Sequence, residues 1–303
     1  MFVLALLPNI LCVVVFRRLG LHKPINFLFA VLAAVDVLGL TSQLVNIIVT
    51  IFLTNCTSQT AMLLLFVFGK LSPFFLDFLS PMVMLFIASI RFRALSEITQ
   101  EHKHTMFFNL KRIKSALMRL AVSAVVIYSP LLMFGNTVIR ISYYCYSFKP
   151  IEPGNDVEFQ LWFSLVFGCI MCILLTIVSG LMLRVCFKPR PIEDILDLDI
   201  PCSQKDMRNT SYVIISIVFC NIITFILHSI NIFSILDGLH SFSLTNSSEI
   251  SIINTHNICT IYCANSAANI FLHCGREKFS KTLKQMLCSC RKVEKQQRLM
   301  QDH

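Results

Sequence analysis

The sequence predicts an all-α membrane protein: a seven-transmembrane helix bundle followed by a short amphipathic eighth helix. Hydrophobic residues make up 55% of the 303 residues and charged residues only 14%, which is too apolar for the surface of a soluble globular protein. Several uncharged stretches are close to the roughly 20 residues that a helix needs to cross a hydrocarbon core. Positive charges, moreover, cluster in alternate connections between these stretches, as in a chain that crosses a membrane repeatedly.

Seven spans follow from the distribution of charges along the chain. Five stretches contain no Lys, Arg, Asp or Glu: residues 1–16, 120–139, 159–183, 209–236 and 250–275. The apolar region between Lys23 and Arg91 is long enough for two more helices, and the polar segment TNCTSQT at 54–60 divides it. We therefore expect helices at 1–17, 24–53, 62–95, 114–137, 160–187, 208–236 and 249–274, and an amphipathic helix at 276–288 on the membrane surface.

The chain divides into a transmembrane domain, residues 1–275, and an amphipathic helix with a cytoplasmic tail, residues 276–303. Positive charges follow the first apolar run rather than precede it, and no small-residue cleavage site comes after it, which argues against a secretory signal peptide. The first helix is at the lower limit of spanning length, so we expect it to be truncated at its N-terminus.

Positive charges also orient the chain, because Lys and Arg near the ends of spans are retained in the cytoplasm. With the N-terminus outside, all Lys and Arg except Lys70, Arg140 and Lys149 fall in cytoplasmic segments. We therefore expect a multi-pass plasma-membrane protein with an outer N-terminus and a cytoplasmic C-terminus. The net charge of +9 is explained by this topology and by a basic face that meets anionic membrane lipid, and we expect no nucleic-acid partner.

Two kinds of covalent modification are expected in the outer loops. Asn55 and Asn246 begin glycosylation sequons. Cys56 and Cys145 both fall outside, in an oxidising compartment, and we expect a disulfide between them that ties the tip of helix two or three to the loop 138–159.

Most other cysteines lie inside spans, where they act as small apolar residues. Cys288 and Cys290 differ because they end the amphipathic segment. They are either palmitoylation sites on a juxtamembrane helix or free thiols.

A set of polar side chains lies at one depth within the predicted spans. Since Asn265 and Asn269 are four residues apart, they share one face of a helix. The set comprises Asn9, Asp36, Ser80, Asn265, Ser266 and Asn269. Polar groups inside a bilayer need partners, so these residues either satisfy one another or hold a hydrated cation against the Asp36 carboxylate.

Four segments carry a family resemblance. Asn9 in PNILCVVVF resembles a helix-one asparagine, and LAAVD at 32–36 is similar to a helix-two LAxxD motif. SIRFRAL at 89–95 resembles the Arg and aromatic positions of a DRY motif, and NSAANIFLH at 265–273 resembles an NPxxY segment. In this order the segments resemble rhodopsin-like (class A) G protein-coupled receptors over essentially the whole chain, most closely the divergent FMRFamide and peptide-receptor branch of invertebrates.

The resemblance implies a function. A receptor of this class binds an extracellular ligand, here a neuropeptide or a small molecule, and activates a heterotrimeric G protein, with Arg91 and Phe92 at the coupling face. It implies no enzymatic activity and no cofactor beyond an allosteric sodium ion. The implied sodium ligands are Asp36, Ser80, Asn265, Ser266 and Asn269. The alternative is a water-filled polar network that binds no sodium.

The chain departs from the family pattern at several positions. Ile90 replaces the acidic residue before the arginine, and Ile270 and His273 stand where the helix-seven proline and tyrosine are usual. In helix six, Asn221 and Ile223 lie near the usual tryptophan and proline. These departures keep open a divergent chemosensory receptor, or a family member that reaches the surface without coupling.

Ligand-binding residues are expected in the outer half of the bundle. Asp77 either pairs with a cationic ligand group or forms an internal pair with Lys70 or His228, and the loop tyrosines form a lid or pack on the rim. The candidates are Asp77, Asn221, His228, Tyr143 and Tyr144.

Two other classes of protein are disfavoured. A small transporter would show paired repeats and broken helices, and neither half of the chain resembles the other. An intramembrane enzyme would need a nucleophile with a base or a metal set at one depth, whereas His228 and His256 are isolated in the pattern.

Overall fold

The computed structural model describes residues 2–53, 67–68, 71, 74–98, 109–134, 155–187, 204–241, 273–274 and 278–286. These ranges are helical apart from the turn at 21–23 and residue 109, and they contain no strand. The helices are α1 (Phe2–Gly20), α2 (Pro24–Leu53), α3 (Ser80–Ile98), α4 (Leu110–Phe134), α5 (Asn155–Phe187) and α6 (Gln204–Ser241). A π-helical segment, Phe74–Leu79, leads directly into α3, and residues 278–286 form a further short helix.

Four of the described helical stretches are long and apolar enough to cross a membrane. They are Pro24–Val49, Phe74–Ser96, Trp162–Phe187 and Thr210–Ile230, and they correspond to predicted helices two, three, five and six. The prediction of an all-α, membrane-embedded protein is thereby confirmed for the described ranges. Predicted helix seven lies outside them except for residues 273–274, so the count of seven spans stays a prediction.

The surface of α5 shows why these helices suit a bilayer. Large apolar side chains are exposed at helical spacing along one face: Val166, Ile170, Ile173 and Ile177. The opposite face is buried against the rest of the protein through Leu165, Met171, Leu175 and Met182. A helix that is apolar on all sides fits neighbouring helices on one face and lipid on the other.

Helix α3 lies at the centre of the described structure. It packs against α2, α4, α5 and α6, and the π-helical segment before it contacts α2, α4 and α5. Aromatic rings fill the space around that segment: the Phe78 ring is stacked on Phe167 of α5 at 4.1 Å and tilted against Tyr128 of α4 at 5.6 Å. The polar side chains of α3 therefore face several helices at once.

The first two helices are joined by a tight turn. Gly20 has a φ of +95°, a left-handed conformation that glycine adopts without steric penalty, and it ends α1. The Asn26 amide then donates hydrogen bonds to the Leu19 and Gly20 carbonyls, at 3.3 and 3.4 Å. Carbonyls at the end of a helix have no partner within it, so this side chain completes α1 and fixes the start of α2.

Several helices begin or end at residues other than the predicted ones. Helix α4 begins at Leu110 instead of 114 because the Asn109 side chain accepts a hydrogen bond from the Lys111 amide at 3.0 Å. Helices α5 and α6 begin at 155 and 204, earlier than predicted, and α6 runs on to Ser241. Hydrophobicity alone does not reveal these polar extensions.

Two glycines permit close approach between helices. A methyl group at Gly39 of α2 would overlap Leu76 of the π-helical segment, and one at Gly168 of α5 would overlap the Phe225 ring of α6. Gly180, also on α5, has open space where its Cβ would be. The Phe225 ring therefore packs directly against the backbone at Gly168, in the space that a Cβ atom would occupy.

Gly168→Ala is expected to lower the free energy of unfolding by about 1–3 kcal/mol, because the added methyl displaces the Phe225 ring in a packed interface. The measurement is the thermal unfolding midpoint of the purified protein in detergent. Gly180→Ala is the matched control, and it should leave stability within about 1 kcal/mol or raise it through helix propensity. Equal destabilisation by both substitutions would contradict the described contact.

Candidate functional site

A buried hydrogen bond joins α2 to α3 in the middle of the bundle. The Ser80 hydroxyl donates to Oδ1 of Asp36 at 2.7 Å. Both residues are almost fully buried, with Asp36 5% and Ser80 7% exposed. A carboxylate far from water depends on such a donor, and a short bond to a charged oxygen is stronger than a neutral one.

The structure describes three of the six polar residues expected at this depth. Asp36 and Ser80 are brought together, and Asn9 of α1 is buried at 1% exposure on the helix that packs on α2. Asn265, Ser266 and Asn269 lie outside the described residues. In the described part of the chain, no group of three or more His, Cys, Asp and Glu residues could hold a metal ion.

A second polar contact joins α3 to α6. Nε of Arg91 donates to Oγ of Ser211 at 3.1 Å, and Ser211 is fully buried. Ile90 and Phe92, on either side of the arginine, pack against the core. Because Ile90 leaves Arg91 without an acidic neighbour at that position, the hydroxyl of α6 supplies an acceptor for it. Ser211 was absent from the sequence-based candidates, since an uncharged serine near a helix start carries no signal of its orientation.

Asp77 lies in the π-helical segment within electrostatic range of His228 on α6 and of the Tyr128 hydroxyl on α4. His228 is therefore brought towards Asp77, as the internal-pair alternative expected, whereas Lys70 is outside the described residues. Tyr128 was not anticipated from the sequence.

Aromatic side chains surround the region in which Asp77, His228 and Tyr128 lie. Phe78, next to Asp77, stacks on Phe167, and the neighbouring Gly168 carries the Phe225 ring. Phe225 in turn lies 6.4 Å from His228, centroid to centroid. The polar groups of three helices are therefore enclosed by rings, a setting in which an electrostatic interaction is stronger than in water.

Asn221 and Ile223, the two positions of α6 compared with the family pattern, differ in their exposure. The Asn221 side chain donates to the Ile217 carbonyl of its own helix at 2.8 Å and is half-buried. Ile223 is exposed at 42%, so the position compared with the family proline faces the lipid.

His273 is buried in an aromatic box. Its ring is edge-on to Phe16 at 5.0 Å and to Phe29 at 4.7 Å, and tilted against Phe279 at 5.6 Å. This box joins α1, α2 and the helix at 278–286. Nothing in the sequence indicated that Phe16 and Phe29 surround His273 together with Phe279.

The other candidate residues lie outside the described residues, and they remain predictions. They are Asn55, Cys56, Tyr143, Tyr144, Cys145, Asn246, Ile270, Cys288 and Cys290.

Comparison with known proteins assigns no family: no family model matches the chain, and no curated protein matches it significantly. Functional inference therefore depends on the geometry of the chain and on the motifs in its sequence.

Ser80→Ala is expected to lower the free energy of unfolding by about 1–3 kcal/mol, because the buried Asp36 carboxylate loses its hydroxyl donor. Ser42→Ala is the matched control: Ser42 is equally buried, but it donates only to the Leu38 carbonyl of its own helix, at 2.8 Å. The control should change stability by about 0.5 kcal/mol or less, since that carbonyl keeps its helical bond. Thermal unfolding in detergent compares the two, and equal effects would show that the contact between helices adds nothing.

Proposed function

We propose that the chain is a seven-transmembrane receptor of the rhodopsin-like class, located in the plasma membrane with its N-terminus outside. It binds an extracellular peptide or small molecule and activates a heterotrimeric G protein at its cytoplasmic end. The observation that carries the proposal is the Arg91–Ser211 hydrogen bond, which links the ends of two spanning helices at the motif that resembles the coupling site of the family.

The packing around α3 gives this bond its importance. Helix α3 packs far more extensively on α5 than on α6, so a polar contact at the end of α6 is a large part of what joins α3 and α6 there. An intramolecular hydrogen bond involving a charged group contributes about 1.5–3 kcal/mol, which a bound ligand can overcome through differential affinity for two states. Separation of Arg91 from Ser211 would open a cleft and free the guanidinium for a G protein.

The ligand end of the proposal rests on Asp77 and His228. They belong to the same two helices, and Asp77 precedes Arg91 by 14 positions, or roughly 21 Å along a helix. A cationic ligand group that pairs with Asp77 would compete with His228 and weaken the outer contact between α3 and α6. The two polar contacts would then change together, which couples ligand binding to opening of the cytoplasmic end.

Sodium binding is a further part of the proposal. The Asp36 carboxylate and the Ser80 hydroxyl are oxygen donors 2.7 Å apart, which fits the oxygen ligands that hard cations take. Asn265, Ser266 and Asn269 would supply the other oxygens. A bound sodium ion supplies a positive charge that neutralises the buried carboxylate, while Ser80 and Asp36 hold α2 and α3 in register.

Removal of the Arg91 side chain should abolish G protein activation, whereas removal of the Ser211 hydroxyl should raise ligand-independent activation by about tenfold or more, the value of one hydrogen bond to a charged group. The measurement is dissociation of heterotrimeric G proteins in cells that express Arg91→Ala or Ser211→Ala, without ligand and with a peptide library.

Arg93→Ala is the matched control, since Arg93 is exposed on the same helix two residues further on. It should leave activation within about twofold of the unsubstituted protein, because most substitutions of exposed side chains have small effects. A receptor that reaches the cell surface and activates equally well with Arg91→Ala would refute the coupling role. Silence of every form at the surface would favour the non-coupling alternative.

Sodium is expected to raise the thermal unfolding midpoint of the purified protein relative to potassium at equal ionic strength, because a ligand that binds only the folded state stabilises it. Asp36→Asn should remove this difference, since the amide keeps the shape but not the charge. A sodium response of equal size in Asp36→Asn, or none in the unsubstituted protein, would exclude this ion site.

A further inference from the structure

Basic side chains lie where helix ends meet in the described structure. Lys114 of α4 lies over the Phe27 ring of α2 at 5.4 Å, Phe187 of α5 meets Tyr212 of α6, and Arg91 of α3 reaches Ser211. The end of α3 and the end of α5 therefore lie with the start of α6, and the start of α4 lies with the start of α2.

The helix at 278–286 lies against the end of α1. Phe279 is fully buried, with its ring 5.2 Å from Phe16 near the end of α1. Leu283 and Met286, four and seven residues after it, pack partly buried against the same core. One face of this helix is thereby fixed against the bundle.

The opposite face of this short helix is basic. Lys278, Lys281 and Lys284 recur every three residues and are all exposed. Exposed cations are also present in the last turn of α1, at Arg17 and Arg18, and in the turn that follows it, at Lys23. These six residues, Arg17, Arg18, Lys23, Lys278, Lys281 and Lys284, form what we name the basic collar.

The membrane level of the collar follows from its neighbours in sequence. Lys23 immediately precedes the membrane-spanning stretch that begins at Pro24, and Phe16, which contacts Phe279, directly precedes Arg17. Long basic side chains at the end of a span reach towards the headgroups.

We propose that the basic collar binds the phosphate-bearing headgroups of anionic phospholipids in the adjoining leaflet. Charge complementarity supports this occupant, because each Lys or Arg near an anionic bilayer strengthens binding by about fivefold. Phe279 holds three of the cations in place, and this contact lets a defined headgroup site form where a disordered tail would give only diffuse attraction. The inference is independent of the proposed receptor function, since it requires neither an extracellular ligand nor a G protein.

The test uses the full chain, purified and incorporated into nanodiscs of phosphatidylcholine alone, with phosphatidylserine, or with phosphatidylinositol bisphosphate. Lipids that remain bound after extraction are counted by native mass spectrometry. The triple substitution K278Q/K281Q/K284Q is expected to reduce retention of anionic lipid by at least about tenfold, since three lysines act together. Phosphatidylcholine retention should stay unchanged.

The matched control is K111Q/R112Q/R119Q, which removes the same charge from exposed positions on α4. It should reduce anionic-lipid retention by less than about twofold, because those residues are outside the collar. Equal losses in the two triple variants would overturn the proposal in favour of diffuse attraction by net charge. Equal retention of anionic lipid and phosphatidylcholine by the unsubstituted protein would also overturn it.

Phe279 offers a variant that changes no charge. Phe279→Ala should weaken anionic-lipid retention several-fold by releasing the lysine face, while Phe279→Leu should retain it because an apolar anchor remains. Soluble inositol trisphosphate separates the bilayer from the headgroup alone. If inositol trisphosphate displaces little bound lipid, the collar binds the lipid within the bilayer, as proposed. If inositol trisphosphate binds the detergent-purified protein as tightly as the lipid does, the proposal that the ligand is a membrane lipid is refuted.

Discussion

A polar group that the described helices bury is costly unless it finds a partner within the protein, because the hydrocarbon core contains no water to supply one. This constraint accounts for the Asp36–Ser80 bond, the Arg91–Ser211 bond and the meeting of Asp77 with His228. Each pair joins two different helices, so satisfying a polar group also sets how those helices lie against each other. Apolar packing alone specifies the arrangement of helices less well, because a leucine side chain is as stable against lipid as against another helix.

Helix α3 takes part in all three pairs when its π-helical start is included. It is linked to α2 at mid-depth and to α6 at two levels, while rings from α4 and α5 enclose its outer part. A change in one pair therefore acts on a helix that contacts most of the others. By contrast, α1, α2 and the helix at 278–286 are held by a short capped turn and an aromatic box, with the Phe16 and Phe29 rings stacked at 5.5 Å. The contacts of this part of the molecule are therefore separate from those that join α3 to α6.

Sequence patterns predicted what depends on composition and spacing. The long uncharged stretches placed α2, α3, α5 and α6, and the cost of burying a carboxylate singled out Asp36 and suggested oxygen-bearing partners such as Ser80. What escaped prediction depends on which way a side chain points. Ser211 and Tyr128 occupy ordinary positions on apolar helices, and only three-dimensional packing shows that they face Arg91 and Asp77. The start of α4 was missed because a single Asn109 cap extends a helix beyond its apolar part.

The π-helical turn at Phe74–Leu79 has an evolutionary consequence. A π turn contains about one residue more than an α turn. The extra residue rotates Phe74 and Asp77 by about 100° relative to Ser80 and Arg91, which stay in register with α2 and α6. Deletion of one residue there would turn Phe74 and Asp77 towards other neighbours and leave the Asp36–Ser80 and Arg91–Ser211 contacts in place. Descendants of this chain can thus change the contacts at one end of this helix through one codon while the other end stays in register.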